Sequence, residues 1–182
     1  MDRLLVILDL DETLIHAAER PLSRAPDFRV YGYAIYKRPH VDDFLAGLFS
    51  QYDVAIWTAS GRLYAEAVLT QLLGGIDRFA FVWCADRCTA RFDHWTRNRS
   101  TVKPLRKVRK RGYDLARVLV IDDSPDKHVL NYGNLIAVTP FEGDAADTEL
   151  VLLAAYIDSL ASEPNLRAIE KRGWRQRAIL PG

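Results

Sequence analysis

The chain has 182 residues, 49% of them hydrophobic and 27% charged. That length favours one folding domain, and the composition excludes disorder and collagen-like repeats. Twenty-five Lys and Arg against 24 Asp and Glu leave a formal charge of +1, so no global field calls for nucleic acid or membrane as a partner.

Residues 4–8, Leu-Leu-Val-Ile-Leu, form a continuous apolar run stopped by Asp9. The run is too short for a signal-peptide core, and nothing in the chain approaches the roughly 20 apolar residues of a membrane span. It reads as a strand buried on both faces. Residues 28–38 alternate around a central glycine, which predicts a hairpin. Val54-Ala55-Ile56-Trp57 is a second buried-type strand, ending at Thr58. Ser60-Gly61-Arg62 opens a helix whose Leu63, Ala67, Leu69, Leu72 and Leu73 suit one broad face, closed by Gly74-Gly75.

Residues 79–102 mix β-prone, aromatic and polar residues without a helical period and are expected to form a small β insertion. This stretch holds both cysteines, Cys84 and Cys88, too few for a disulfide framework. With His94 they would make at most a three-ligand metal site, and two small side chains in a β-rich region explain them as well. A reducing, cytoplasmic setting is expected. Pro104 starts a short helical turn that stops at Gly112. Val118-Leu119-Val120-Ile121, ending at Asp122, and Leu135-Ile136-Ala137-Val138, ending at Thr139-Pro140, are two further strands. Asp147 can cap a last helix carrying Leu150, Leu153, Ala154, Ile157 and Leu160. Strands alternating with helices predict a single α/β domain over residues 1–182, with a Rossmann-like parallel sheet and helices on both faces. Residues 163–182 would be a basic tail.

In such a sheet, ligands bind at the carboxyl ends of the strands, where this sequence places Asp9, Thr58 and Asp122-Asp123. Asp9 and Asp11 are two apart, so in extended chain they face one side. Paired carboxylates after a buried strand are costly unless a cation or hydrogen bonds compensate them. A calcium loop is excluded, because its sixth position is Leu14 where glycine is needed and its twelfth is Arg20 where glutamate is needed.

Four stretches occur in order: Asp9-Leu10-Asp11-Glu12-Thr13-Leu14, Trp57-Thr58-Ala59-Ser60, Val102-Lys103 and Ile121-Asp122-Asp123-Ser124-Pro125. Together they resemble the haloacid dehalogenase superfamily of phosphotransferases. More narrowly, they resemble the branch with the RNA polymerase II C-terminal-domain phosphatases and the nuclear LIM interactor-interacting factors. Residues 37–45, Lys-Arg-Pro-His-Val-Asp-Asp-Phe-Leu, and 140–144, Pro-Phe-Glu-Gly-Asp, extend the likeness, which spans roughly residues 3–161.

The resemblance implies a fold and a set of roles. Asp9 would be the nucleophile that forms an aspartyl phosphate. Asp11 would protonate the leaving oxygen and then activate water, its main-chain carbonyl also meeting the metal. Thr13 would brace the loop. Thr58 and Ala59 would hold phosphate oxygens at a helix start, and Lys103 would neutralise the phosphoryl oxygens and Asp9. Magnesium would bind through the carboxylates of Asp9 and Asp123, while Asp122 would orient Lys103 or a metal-bound water.

Lys103 is followed by Pro104, where this branch often has an acid. The intervals between motifs are too short for a large cap, so the expected substrate is a phosphoprotein bearing phosphoserine or phosphothreonine, or alternatively a nucleic-acid end or small-molecule phosphate. A non-catalytic scaffold on the same fold is the competing class. The basic stretches 103–111 and 167–177 read as solvated faces or as a surface for a polyanion such as nucleic acid.

Overall fold

The computed structural model describes residues 3–92, 97 and 99–178. Ten strands and four helices follow one another as β1 (Leu5–Leu8), β2 (Ile15–Ala18), β3 (Phe28–Val30), β4 (Tyr33–Lys37), α1 (Val41–Gln51), β5 (Asp53–Trp57), α2 (Arg62–Leu73), β6 (Val82–Trp83), β7 (Thr89–Phe92), β8 (Arg99–Val102), α3 (Arg106–Arg109), β9 (Val118–Asp122), β10 (Leu135–Ala137) and α4 (Glu149–Leu160). The main sheet is parallel throughout, in the order β10-β9-β1-β5-β6. The predicted α/β architecture is present.

Alternation along the strands sorts side chains between two layers. Val6, Leu8, Val54, Ile56, Leu119 and Ile121 face α1, α2 and α4, while Leu5, Ile7, Ala55, Trp57, Val118 and Val120 face Phe81, Trp83 and the single turn of α3. Helices lie on both faces, but unequally. One face carries three full helices, and the other is closed by one helical turn and a packed aromatic group in which Trp57 meets Trp83 edge-on at 4.8 Å. Truncating a buried side chain of this size typically costs about 3–5 kcal/mol.

Three local expectations change. Residues 41–51 form α1, a helix the motif-based reading passed over, although Val41, Phe44, Leu45 and Leu48 are its buried stripe. The 28–38 hairpin gains a third strand, because β2 pairs with β4 from Ile15↔Lys37 to Ala18↔Ala34. The 79–102 segment is not one insertion. Val82–Trp83 completes the edge of the main sheet beside β5, and only β7 and β8 pair as a separate ribbon. His94 lies outside the described residues.

The three-stranded sheet, β2-β4-β3, is the flap over the site edge of the domain, and it is fastened by Arg38, which is fully buried. Its guanidinium donates to Asp147 at 2.8 and 2.9 Å and to the Thr13 and Thr139 carbonyls at 3.1 and 3.0 Å. Asp147 also accepts from the Glu149 amide at 2.9 Å, but the N-cap of α4 is Thr148, one residue later than expected, which makes no side-chain cap bond. Gly143, at φ 97°, sits against Leu22 of the flap where a Cβ would overlap the leucine side chain.

The tail spends its cations on the protein itself. Lys171 is buried and donates to the Gly133, Leu166 and Ile169 carbonyls, and burial lowers its ammonium pKa to about 8. Arg175 pairs with Glu149. Trp174 is buried, its indole N–H donating to the Ala137 carbonyl at 2.8 Å. Of the basic tail residues, Arg167, Arg172 and Arg177 stay exposed.

Candidate active site

The register of the sheet assembles the site. Leu8 pairs with Ile56 on one side and with Ile121 on the other. The residues just past that row are therefore Asp9, Trp57-Thr58 and Asp122-Asp123, brought together at the carboxyl edge of three adjacent strands. The Asp9 amide donates to the Ile121 carbonyl at 2.9 Å and the Thr58 amide to the Trp83 carbonyl at 2.9 Å, so both residues are held by backbone ladders. After Asp9 the chain turns sharply, with Glu12 in a left-handed conformation (φ 56°) and its carbonyl accepting from the Phe141 amide at 2.7 Å.

Asp9 is buried, and its Oδ1 stands 2.9 Å from Lys103 Nζ. The same ammonium donates to Asp122 Oδ2 at 2.5 Å. Lys103 is itself buried, a position that disfavours its charge, yet the two carboxylates outweigh that penalty and hold its pKa above the ordinary lysine value. Asp122 uses both oxygens. Oδ1 accepts from the Ser124 amide at 2.9 Å, and Oδ2 meets both Lys103 and, at 2.9 Å, Nε2 of the buried His128. Burial alone would raise the Asp122 pKa, but the His128 hydrogen bond and the Lys103 charge together take it well below the carboxylate range.

Asp9 is the reverse case. Burial pushes it up to about 7 against the pull of Lys103, with repulsion from Asp122 adding to the shift and a weaker pull from Lys127 opposing it. Such a carboxylate is a buried charge only partly compensated, which is what a divalent cation corrects. Ligand oxygens of Asp9, Asp122 and Asp123 lie within 4.8 Å of one another. An all-oxygen carboxylate set of this kind fits a hard cation. Because the Asp122 oxygens are engaged by Lys103, His128 and a backbone amide, Asp9 and Asp123 are the carboxylates left to serve it. Asp123 is half-buried, with the Thr13 hydroxyl 3.4 Å and the Ser124 hydroxyl 3.2 Å away.

Asp11 is two residues from Asp9 and, unlike it, half-exposed. Its two oxygens accept from Ser60 Oγ at 2.6 Å and Tyr64 OH at 2.7 Å. Thr58 is buried, its Oγ1 accepting from the Ser60 amide at 3.0 Å, and Ala59 is exposed on the loop that leads into α2. Beside Asp11 opens a cleft of about 480 Å³ whose walls include Tyr31, Tyr33 and Tyr64.

Asp9, Asp122, Asp123, Thr13 and Lys103 therefore converge as expected, with Thr58 beside them on the adjacent strand and Asp11 at the mouth. Sequence reasoning missed the buried His128, the half-buried Lys127 with Nζ 3.7 Å from Asp9 Oδ2, and Tyr64. Only Ser60, within a quoted motif, carried a signal.

Comparison with known proteins places the chain. A sequence profile of the NLI interacting factor-like phosphatases matches residues 4–167. The chain belongs to that family. It is 30% identical over 174 residues to the human CTD small phosphatase-like protein, covering 92% of this chain and 59% of that one. The CTD nuclear envelope phosphatase 1 homolog of Drosophila melanogaster is 29% identical over 187 residues, covering 94% and 73%. The solved structure of Fcp1, an essential RNA polymerase II CTD phosphatase, superposes with a TM-score of 0.60 at 23% identity, covering 98% of this chain and 51% of that one. The chain spans about three-fifths of the length of the human CTD small phosphatase-like relative.

Proposed function

We propose that this domain is a magnesium-dependent phosphomonoester hydrolase that works through an aspartyl phosphate on Asp9. The observation that supports it most is the contact of Asp9 with buried Lys103 at 2.9 Å, beside a carboxylate set suited to a hard cation. In the first step an Asp9 oxygen attacks phosphorus, the ester P–O bond breaks, and its electron pair stays on the leaving oxygen, which takes a proton from Asp11. In the second, Asp11 takes a proton from water, the resulting oxygen attacks phosphorus, and the bond to Asp9 breaks to return the carboxylate. Lys103 lies where negative charge accumulates on the phosphoryl oxygens and neutralises it. Thr58 and Ala59 hold those oxygens at the head of α2. Asp9, Asp123 and the Asp11 carbonyl would hold magnesium, which supplies charge neutralisation at the phosphoryl group.

The substrate we infer is a phosphoserine or phosphothreonine protein. Two of the relatives and the solved neighbour carry CTD phosphatase in their names. Supporting this, among the described residues the span from Asp11 to Thr58 holds the flap, α1 and β5, and the span from Thr58 to Lys103 holds α2, β6 and the β7-β8 ribbon, so a bulky chain can reach the mouth. We further propose a reducing, cytoplasmic location, supported by the two free cysteines.

The test is release of phosphate from p-nitrophenyl phosphate and from phosphopeptides. Turnover is expected with magnesium, abolished by EDTA and absent in Asp9→Asn. Metal-independent turnover, or none with any substrate, sinks the reading and favours a scaffold.

A further inference from the structure

One cation beside Asp9 remains outside this scheme. Lys127 lies on the 3₁₀ turn Pro125–His128, just after the Asp122-Asp123 pair. Its carbonyl accepts from the Lys103 amide at 2.8 Å, so the two lysines leave paired backbones and converge on one carboxylate, Lys103 on Oδ1 at 2.9 Å and Lys127 on Oδ2 at 3.7 Å.

Their circumstances differ in a way that decides the chemistry. Lys103 is 1% exposed, and its ammonium is already shared between Asp9 and Asp122. Lys127 is 24% exposed, and its one ionic contact among the described residues lies beyond hydrogen-bond length. Its three N–H groups are therefore available to an incoming acceptor on the open side of the nucleophile. An uncommitted ammonium beside a buried nucleophile has an obvious use when a dianion arrives.

We propose that Lys127 is a second catalytic cation, contacting a non-bridging phosphoryl oxygen as the group moves onto and off Asp9. It keeps its proton throughout. Lys103, shared between Asp9 and Asp122, keeps its role beside the nucleophile, and Lys127 adds a second ammonium for the charge that spreads over the outer oxygens of the transition state. This rests on the hydrolase reading above, and adds a group that the four motifs do not contain.

The experiment compares wild type, Lys127→Met and Lys127→Arg by turnover of p-nitrophenyl phosphate with magnesium, by calorimetric binding of inorganic phosphate and by melting temperature. Lys127→Met is expected to lose roughly 10- to 100-fold in kcat/KM and to bind phosphate about tenfold more weakly, with an unchanged melting temperature. Lys127→Arg should recover part of both, since it restores a donor and a charge. Equal losses in both variants with a lowered melting temperature mean a structural role and overturn the proposal. A wild type that hydrolyses while Lys127→Met matches it in rate and phosphate affinity overturns the lysine contact and leaves the hydrolase reading standing. A wild type that binds phosphate through Lys127 yet hydrolyses nothing overturns the hydrolase reading and keeps the contact.

Discussion

His128 Nε2 stands 2.9 Å from Asp122 Oδ2, and neither side chain reaches solvent. With Asp122 ionised, the ring donates through Nε2, and its other nitrogen is buried without a hydrogen-bond partner among the described residues. The same Asp122 oxygen accepts from Lys103. The histidine thus acts on the site at one remove, by fixing the carboxylate that aims the lysine.

His128→Gln is expected to lower kcat by about tenfold, as a misaimed Lys103 stabilises the transferring group less well, while the magnesium requirement stays near wild type. Asp122→Asn should do the same more severely. Asp123→Ala should instead raise the magnesium concentration needed for half-maximal rate, because it removes a proposed ligand. Magnesium titrations of the three variants separate these outcomes, and a larger metal defect in Asp122→Asn would reverse the division of labour between the two acids.

A second expectation concerns stability. The Asp9 pKa rises from 3.8 to about 7 in the folded chain, so between those values the native state holds more protons than the unfolded state. Stability from this group is accordingly lost as pH rises through the window, and the penalty is complete above pH 7. Asp9→Asn should melt above wild type at pH 8, with the difference shrinking toward pH 5. Magnesium should raise the melting temperature of wild type at pH 8 and do little for the variant. Thermal melts across that range check the sign, and an advantage that grows on acidification refutes it.

Asp11 separates the two chemical steps. A nitrophenolate leaves readily without a proton, whereas a serine alkoxide does not, and general acid–base help is worth about 10² to 10⁴ in rate. Asp11→Asn should release a stoichiometric burst of nitrophenol from p-nitrophenyl phosphate and then stall as phosphorylated Asp9 accumulates. On a phosphoserine peptide it should be nearly inactive. Rapid quench with intact-mass detection reads both signals; slow linear release with no phosphoenzyme would remove Asp11 from the second step.

The basic arm offers a test of substrate size. Arg106, Arg109 and Lys110 are exposed, whereas Lys107 donates to the Arg87 carbonyl at 2.7 Å. Neutralising Arg106, Arg109 and Lys110 should slow reaction with a polyanionic phosphoprotein severalfold and flatten its salt dependence, leaving p-nitrophenyl phosphate turnover unchanged. Equal losses on both substrates would point to damage around buried Leu105 and Val108.

Much of this was written in the order of residues. Strands β1, β5 and β9 announce themselves as apolar runs halted by polar groups, because a strand buried on both faces leaves no room for alternation. Helix α1 has an equally clear stripe in Val41, Phe44, Leu45 and Leu48. Val82–Trp83 is too short to show any period and becomes a strand only because β5 offers an open edge. Lys127 and His128 look like ordinary turn residues. One is brought beside Asp9 and the other beneath Asp122 by a 3₁₀ turn whose direction depends on contacts distant in sequence. The tail misled for a related reason: a count of basic residues does not reveal that Lys171 and Arg175 find their acceptors inside the fold.

Asp9, the proposed nucleophile, directly follows β1, the middle strand of the five-stranded sheet. The amide proton of Asp9 is sealed against Ile121, and β1 has a neighbour on either side. Moving that carboxylate means parting the whole sheet, so exchange of this amide with deuterium should proceed only at the rate of global opening, while amides at the flap tip around the exposed Tyr31 exchange early. Fraying at the margins leaves the Asp9 carboxylate seated. A population of these molecules losing structure by degrees should lose activity in one step, at the transition that dismantles the sheet.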